Sequence, residues 1–274
     1  MTALVVVPLA LVGGAQPLLT VPVAVDGRGP YIFVVDTGAG PTLLAPGLAR
    51  ELGVEAAATK EGHGLAHRAT VRLARVRSLR LGSEERAGFE VVVAEDVDRI
   101  AAAVGGRLDG VLGHSFLGRY AVTVDYPAGT LRLDESAATE PDDLVLPFRL
   151  AAPTKPLLVV DAELDGRGPF ALAVDTGAST TLLDAATAQR LGIATVPIPA
   201  VTGAGGTAET RAGTLRSLKL GAAEQRDLAV VVAPLAALNA ALGTRLDGIV
   251  GYNFLRRYRV TIDYRGERLL LRRG

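Results

Sequence analysis

The chain has 274 residues, enough for one large domain or two ordinary ones, each able to bury a core. Hydrophobic residues make up 49% and charged residues 21%, a composition that excludes a disordered chain. Because 29 basic residues balance 29 acidic residues, no net charge attracts nucleic acid or an anionic membrane surface, and the absence of cysteine excludes disulfides, a thiol nucleophile and thiolate metal sites.

The first 25 residues carry no charge, so the segment must be considered first as a signal peptide or a membrane span. It lacks the basic start of a signal peptide, and Pro8, Pro17, Pro22 and the pair Gly13-Gly14 would interrupt a spanning helix. We therefore expect neither a leader nor a membrane span in the chain as given. An upstream leader would make the protein periplasmic, and otherwise it would be cytoplasmic.

The next elements are short strands and a helix. β-rich runs at 21–25 and 31–35 flank Asp-Gly-Arg-Gly-Pro, whose turn chemistry predicts a hairpin. A helix is predicted over 46–52, because Pro46 suits a first helical turn and Gly53 suits the position just after the last one. Further strands are predicted at 69–81, 91–93 and 121–126, the last followed by a Pro-Ala-Gly turn.

The same pattern then occurs a second time. DGRGPYIFVVDTGAG at 26–40 returns as DGRGPFALAVDTGAS at 165–179, an offset of 139, and RLDGVLG at 107–113 returns as RLDGIVG at 245–251. Such a repeat predicts two copies of one structural unit. The uncharged first segment has an internal counterpart that is charged, so we expect it to form paired strands instead of a leader.

The repeat predicts two lobes, residues 1–138 and 139–274, each mostly β with two or three short helices. The acidic run 134–143 between them is expected to be a solvated linker. In the second copy Asp184 is predicted to cap the helix that ends at Gly192.

Each copy carries Asp-Thr-Gly directly after an apolar strand, at 36–38 and 175–177. One such motif is weak evidence, because aspartate and glycine occur in any tight turn. Two at equivalent positions of a duplicated unit are far more specific. Each copy also has two apolar residues followed by a glycine, at 111–113 and 249–251.

With these motifs in the same order in both halves, the chain resembles the pepsin and retropepsin-like aspartic peptidases over nearly its whole length. It is most similar to the bacterial retropepsin-like branch, fused into one chain. The resemblance implies a mostly β acid protease fold, in which two tandem retropepsin-like lobes with short helices are related by a pseudo-twofold axis. It also implies that the apolar-apolar-glycine segments lie behind the catalytic loops.

The resemblance implies that Asp36 and Asp175 are the catalytic residues. Hydrolysis of a peptide without a metal or a covalent nucleophile needs one group to take a proton from water and another to donate a proton to the carbonyl oxygen. Two close carboxyl groups can do both, because they cannot both ionise cheaply and so share a proton over a range of pH, as is known for aspartic proteases.

Residues beside the aspartates are expected to support the catalytic loops. By resemblance, Thr37 and Thr176 would hydrogen-bond to the opposite lobe, and local turn formation is the alternative for both. Gly38 and Gly177 would let the substrate backbone approach.

The fourth residue after each aspartate differs between the copies, since Ser179 corresponds to Gly40. In the family a serine or threonine at this position supports the aspartate. Asp36 is therefore expected to lack one supporting hydrogen bond.

A glycine-rich hairpin in each lobe is predicted to overhang the aspartates. Its glycines would permit an opening and closing that excludes water from the reaction, and an ordinary turn is the alternative. Neither hairpin has the tyrosine of pepsin-type flaps, so both are closer to the retroviral type and would bind an extended peptide as an added strand. The predicted substrate-binding residues are Gly62, His63, Gly64, Gly203, Ala204 and Gly205.

Other recurring polar residues are interpreted as structural. His63 and His67 have the spacing of metal ligands on a helix, but the neighbouring glycines argue against a helix, and we expect no metal and no cofactor. His114 is expected to pack against its neighbours. Turn formation and strand-edge hydrogen bonds are expected for the recurring aspartates, Asp109, Asp247, Asp125 and Asp263.

The sequence therefore predicts an aspartic endopeptidase that cleaves an extended polypeptide and is active as a monomer, because both half-sites lie in one chain. Its partner would be the polypeptide substrate, with no nucleic acid and no membrane. Two alternatives remain open. One is a module that binds peptides without cleaving them, suggested by Gly40, and the other is an active site built between the lobes of two chains.

Overall fold

The computed structural model describes residues 4–63, 68–152, 155–203 and 206–274, and these residues form 22 strands and six helices. The first repeat contains, in chain order, β1 (Val5–Pro8), β2 (Ala10–Val12), β3 (Leu18–Val25), β4 (Arg28–Val35), β5 (Leu43–Leu44), α1 (Pro46–Leu52), β6 (Ala56–His63), β7 (Arg68–Leu81), β8 (Glu84–Val93), α2 (Asp96–Val104), β9 (Gly110–Leu112), α3 (His114–Leu117), β10 (Ala121–Asp125) and β11 (Thr130–Asp134). The second repeat contains β12 (Leu144–Pro147), β13 (Arg149–Ala152), β14 (Lys155–Leu164), β15 (Arg167–Val174), β16 (Leu182–Asp184), α4 (Ala185–Leu191), β17 (Thr195–Gly203), β18 (Gly206–Leu220), β19 (Ala223–Ala233), α5 (Ala236–Leu242), β20 (Gly248–Val250), α6 (Tyr252–Leu255), β21 (Tyr258–Asp263) and β22 (Arg268–Arg273).

The strands form three sheets. Each repeat has its own eight-stranded sheet, with the order β2-β3-β4-β9-β5-β8-β7-β6 in the first and β13-β14-β15-β20-β16-β19-β18-β17 in the second. A six-stranded sheet with the order β1-β11-β10-β21-β22-β12 takes three strands from each repeat. The protein is therefore mostly β with two tandem lobes, which confirms the predicted fold class, and the shared sheet joins the lobes.

The two repeats meet at the centre of the shared sheet, where β10 and β21 pair antiparallel. Thr123 lies directly opposite Thr261, and their hydroxyl oxygens are 2.9 Å apart. These threonines occupy equivalent positions in the two copies, 138 residues apart. The pseudo-twofold axis that relates the lobes therefore passes between them.

The uncharged N-terminal segment forms strands, as expected. β1 pairs with β11 at the edge of the shared sheet, and β2 pairs with β3. Val5 and Val7 are buried while Val6 is exposed, the alternation of a strand with one covered face. In the part of the chain that the structure describes, no helix combines the length and the hydropathy needed to cross a membrane.

Each lobe buries an apolar core of its own. Phe33 and Phe116 are fully buried in the first lobe, and Phe254 is fully buried in the second. Burial of a side chain of this size contributes about 1.5–3 kcal/mol. Tyr126 and Tyr264 pack against the cores of both lobes, which places them at the junction.

The ends of the helices agree with the sequence except at one cap. α1 has the predicted bounds, and Gly53 and Gly192 end their helices with φ angles of 66° and 71°, the left-handed conformation that favours glycine. Asp184 directly precedes α4, but its side chain does not cap that helix. It accepts a 3.0 Å hydrogen bond from the main-chain N–H of Leu235 instead. This prediction was wrong because the loop before α5 brings an N–H group to Asp184 from a distant part of the chain.

The acidic segment 134–143 is tied to the shared sheet at both ends. Asp134 is buried in β11 and pairs with Arg132 at 2.7 Å, and Asp143 pairs with Arg272 at 2.9 Å. The expectation of a solvated linker was therefore wrong for these ends, because strands of the sheet present arginines to them. The predicted lobe boundary between 138 and 139 lies in the irregular stretch between β11 and β12, and it stays a prediction.

Candidate active site

The two Asp-Thr-Gly loops follow equivalent strands of the two lobes. β4 leads into Asp36 and pairs parallel with β9, and β15 leads into Asp175 and pairs parallel with β20. The Asp36 N–H donates to the carbonyl of Leu112 at 3.2 Å, and the Asp175 N–H donates to that of Val250 at 3.0 Å. Each aspartate is therefore held by the apolar-apolar-glycine strand of its own repeat.

That strand continues directly behind the Asp-Thr-Gly loop, where only glycine fits. A Cβ atom at Gly113 would lie 2.2 Å from the carbonyl oxygen of Pro41, and one at Gly251 would lie 2.6 Å from that of Ala178. The main-chain N–H groups of His114 and Tyr252 donate to the carbonyls of Ala39 and Ala178 in the two Asp-Thr-Gly loops, at 2.8 and 2.7 Å. The glycines thus allow two backbones to meet and lock the loops in place.

Sequence reasoning missed a polar pair that supports each loop from behind. In the first lobe the Thr42 N–H donates to the Ser115 hydroxyl at 2.9 Å. In the second lobe the Thr181 N–H and hydroxyl both donate to the side-chain oxygen of Asn253 at 2.8 Å. Both threonines are fully buried and recur at the offset of the repeat, and that recurrence was the signal available in the sequence.

The threonines of the motif connect the two lobes. The Thr37 N–H donates to the Thr176 hydroxyl and the Thr176 N–H donates to the Thr37 hydroxyl, both at 3.1 Å. The Thr176 hydroxyl also donates to the carbonyl of Val35 at 2.9 Å. Both side chains are buried, so these hydrogen bonds are shielded from water.

Where these hydrogen bonds join the two loops, the loops cross, and each carboxyl group lies over the opposite loop. A Cβ atom at Gly38 would lie 2.6 Å from Cγ of Asp175, and one at Gly177 would lie 2.5 Å from Cγ of Asp36. The two carboxyl groups are close enough that the charge of Asp175 acts on Asp36. The structure therefore brings together the two aspartates that the sequence separates by 139 residues.

Main-chain amides orient both carboxyl groups. Asp36 Oδ1 accepts hydrogen bonds from the N–H groups of Gly38 and Ala39, both at 2.8 Å, and Asp175 Oδ1 accepts one from Gly177 at 2.8 Å. Among the described residues, Ser179 donates no hydrogen bond to Asp175. Asp36 therefore does not have fewer supporting hydrogen bonds than Asp175, because the donors to both carboxyl groups are main-chain amides of the loops.

Burial dominates the ionisation of the pair. It raises the pKa of Asp36 well above the ordinary value of 3.8, and the charge of Asp175 raises that pKa further. Burial also raises the pKa of Asp175, against the lowering effect of the Gly177 amide. Because two such close carboxyl groups resist double ionisation, the pair keeps one proton at a pH where isolated carboxyl groups have lost theirs.

A comparison with protein families agrees with this geometry. A family model described as aspartyl protease matches residues 21–116 and again residues 160–254, which together are more than half of the chain. Each matched segment contains one Asp-Thr-Gly motif and one apolar-apolar-glycine segment. The chain belongs to the aspartyl protease family. No curated protein matches it.

In this aspartyl protease family member, both predicted hairpins are present as long strand pairs. β6 pairs with β7, with Gly62 opposite Ala69, and β17 pairs with β18, with Gly203 opposite Gly206. β17 also contacts α2, so this hairpin reaches from the second lobe to the first. Gly62, His63 and Gly203 end the first strands, while Gly64, His67, Ala204 and Gly205 lie outside the described residues. The substrate-binding role of the hairpins stays a prediction.

The other recurring aspartates support strands away from the pair. Asp109 accepts a hydrogen bond from the Ile32 N–H at 2.9 Å, and Asp247 accepts the equivalent one from the Ala171 N–H at 3.1 Å. Asp125 and Asp263 each accept a hydrogen bond from an N–H group of the following turn, at 2.9 and 3.0 Å. These are the turn and strand-edge interactions that we expected.

Proposed function

We propose that the chain is an aspartic endopeptidase that hydrolyses peptide bonds of an extended polypeptide with a water activated by Asp36 and Asp175. The observation that supports this most directly is the meeting of the two loops, in which each carboxyl group lies against the glycine of the opposite loop. Membership of the aspartyl protease family supports the same class of chemistry.

The pair can supply both proton transfers of the reaction. In its singly protonated form, the ionised carboxyl group takes a proton from water as the water oxygen attacks the peptide carbonyl carbon. The protonated carboxyl group donates its proton to the carbonyl oxygen, which gives a neutral tetrahedral intermediate. The C–N bond then breaks as the nitrogen takes up a proton from one carboxyl group and a hydroxyl group of the intermediate gives its proton to the other, which forms the carboxylic acid product and returns the pair to its singly protonated form. The raised pKa values of Asp36 and Asp175 favour the singly protonated form that this cycle needs.

An extended peptide suits the surroundings of the pair. Long hairpins in both lobes offer strand edges, and main-chain pairing with such an edge holds a peptide extended. Because both half-sites lie in one chain, the proposed enzyme is active as a monomer.

The proposal is tested with Asp36→Asn and Asp175→Asn, which keep the size of the side chain and remove its acid–base function. We expect each to lower the cleavage rate of a peptide library by a factor of about 10²–10⁴, the usual contribution of general acid–base catalysis. Asp142→Asn is the matched control, because Asp142 is exposed in the segment between the lobes. Full activity of either variant of the pair would refute the proposal.

The two alternatives give different results in the same experiments. A module that only binds peptides would hold library peptides from acid to neutral pH without cleaving them. This alternative was suggested by Gly40, which cannot support Asp36 with a side chain, but the amides of Gly38 and Ala39 supply two hydrogen bonds to Asp36. An active site between two chains would make the active species a dimer in solution. Mixing Asp36→Asn with Asp175→Asn would then restore activity, whereas a monomeric enzyme stays inactive in the mixture.

A further inference from the structure

Two tyrosines at the junction of the lobes have buried hydroxyl groups that the proposed mechanism does not use. Tyr126 directly follows β10 and Tyr264 directly follows β21, the two central strands of the shared sheet. They are equivalent residues of the repeat, and they lie on opposite sides of the pseudo-twofold axis because β10 and β21 run antiparallel. Among the described residues, neither hydroxyl oxygen has a hydrogen-bond partner.

Each tyrosine contacts the segment that lies behind a catalytic loop of the other repeat. The Tyr126 ring lies 5.8 Å from that of Tyr252, and the Tyr264 ring lies 4.8 Å edge-on from that of His114, measured between centroids. The main chains of Tyr252 and His114 are hydrogen-bonded to the catalytic loops. The two tyrosines are therefore packed against the residues that hold the aspartate loops from behind.

The aspartates are also the acidic groups that act on these hydroxyls. Burial raises the pKa of Tyr126, and the charge of Asp175 raises that pKa further. Burial likewise raises the pKa of Tyr264, with a further increase from Asp36 and Asp175. Both phenols therefore stay protonated and remain hydrogen-bond donors at every pH at which the pair titrates.

A buried hydroxyl without a partner is costly, and internal water commonly satisfies such groups. We propose that Tyr126 and Tyr264 are positioning residues that donate through internal water towards Asp36 and Asp175 from beneath. A donor to a carboxylate stabilises its charged form, so the two hydroxyls lower the pH at which the pair gains a proton. The two hydroxyls thus offset part of the pKa increase that burial causes in the aspartates, and the pair stays singly protonated at a lower pH than it would without them.

The other titratable groups that face the hydroxyls are Tyr252 beside Tyr126 and His114 beside Tyr264. Burial lowers the pKa of His114, so its imidazole is uncharged near neutral pH. Phenylalanine at 126 or 264 would keep both ring contacts and remove only the hydroxyl. A change in the titration of the pair then reports the lost donor and not a changed packing of His114.

The test is a titration of ¹³C-labelled aspartate carboxyl groups by NMR in Tyr126→Phe and Tyr264→Phe, with the pair assigned from Asp36→Asn and Asp175→Asn. We expect the apparent pKa values of the pair to rise by about one unit in each variant, the size expected when a hydrogen bond to a charged group is lost. The acid limb of kcat/KM should move in the same direction. Tyr258→Phe is the control, because Tyr258 is buried and its ring stacks on Phe254.

The inference rests on the proposed role of the aspartate pair, but the titration needs no turnover. If Asp36→Asn kept full activity, the proposed function would be refuted, but the titration would still measure the effect of the tyrosine hydroxyls on the pKa values of the aspartates. A rise in one variant alone would assign the role to that tyrosine. No rise in either variant, or an equal rise in Tyr258→Phe, would overturn the inference. If a variant unfolds during the titration, the cost of the same substitution in urea unfolding should be smaller in the Asp175→Asn background than in the wild type.

Discussion

The main-chain N–H groups of Thr37 and Thr176 each donate to the side-chain hydroxyl of the other residue, at the same distance of 3.1 Å. Neither Asp-Thr-Gly loop can satisfy the buried N–H group of its threonine without the other lobe. The Thr176 hydroxyl carries a further hydrogen bond to the carbonyl of Val35, so the two threonines are not equivalent. This reciprocal contact couples the folding of each lobe to the position of the other.

We expect Thr176→Val to destabilise the protein by about 1–3 kcal/mol, because it leaves the buried N–H of Thr37 without a partner. Thr37→Val should cost less, because its hydroxyl makes fewer hydrogen bonds. Urea unfolding of both variants and of the double variant measures these costs. Thr214→Val, at an exposed position of β18, is the control and should change stability by less than about 0.5 kcal/mol. Costs no larger than that of Thr214→Val in both loop variants would contradict the reciprocal contact.

Asp36→Asn should make the protein more stable at neutral pH. The pKa of Asp36 is raised on folding, so the folded chain binds more protons than the unfolded chain between the ordinary value of 3.8 and the raised value. Stability therefore falls as pH rises through this window, by about 1.4 kcal/mol for each unit of pKa increase. Asp36→Asn has no carboxyl group at this position and does not lose stability in this way, so its unfolding free energy should depend less on pH than that of the wild type. A wild type that gains stability across this window relative to the variant would show that the sign is wrong.

Gly38→Ala and Gly177→Ala should both impair catalysis while leaving the lobes folded. The added Cβ would meet the opposite carboxyl group at 2.6 or 2.5 Å, so that carboxyl group must move. A displacement of about 1 Å can lower a rate by about 100-fold, and we expect a fall in kcat/KM of at least that size. Gly47→Ala is the matched control. Its Cβ would meet nothing closer than 4.0 Å, and alanine at this helical position favours folding by about 0.5–1 kcal/mol.

Asp247→Asn makes the same chemical change as Asp36→Asn but should have the opposite effect on stability. Despite the opposing effect of burial, hydrogen bonds from Thr187, the Ala171 amide and Arg190 lower the pKa of Asp247 below 3.8. Its stabilising contribution is therefore complete above that value and is lost as pH falls through the lowered pKa. We expect a loss of about 1–3 kcal/mol at neutral pH, measured by urea unfolding. The loss should shrink in acid, and Asp142→Asn should show none.

Much of the fold could be predicted because its signals are local. Proline and glycine at the ends of 46–52 set the bounds of α1, and the Asp-Gly-Arg-Gly-Pro turn set the hairpin between β3 and β4. The repeat carried each of these predictions to the second lobe. The predictions that failed concern the partners of single side chains. Asp184 bonds to Leu235 and Asp143 pairs with Arg272, and both partners come from distant segments.

By itself, the sequence determined that there are two copies of one β-rich unit and that each copy places an aspartate at the end of a strand, because similar segments in the same order fold alike. Only the tertiary structure decided what those aspartates meet. The crossing of the two loops places each carboxyl group against the glycine of the opposite loop, and the junction of the lobes buries the hydroxyl groups of Tyr126 and Tyr264. Hydrogen bonding and burial depend on atoms within a few ångströms, and here the two halves of the chain supply those atoms to each other.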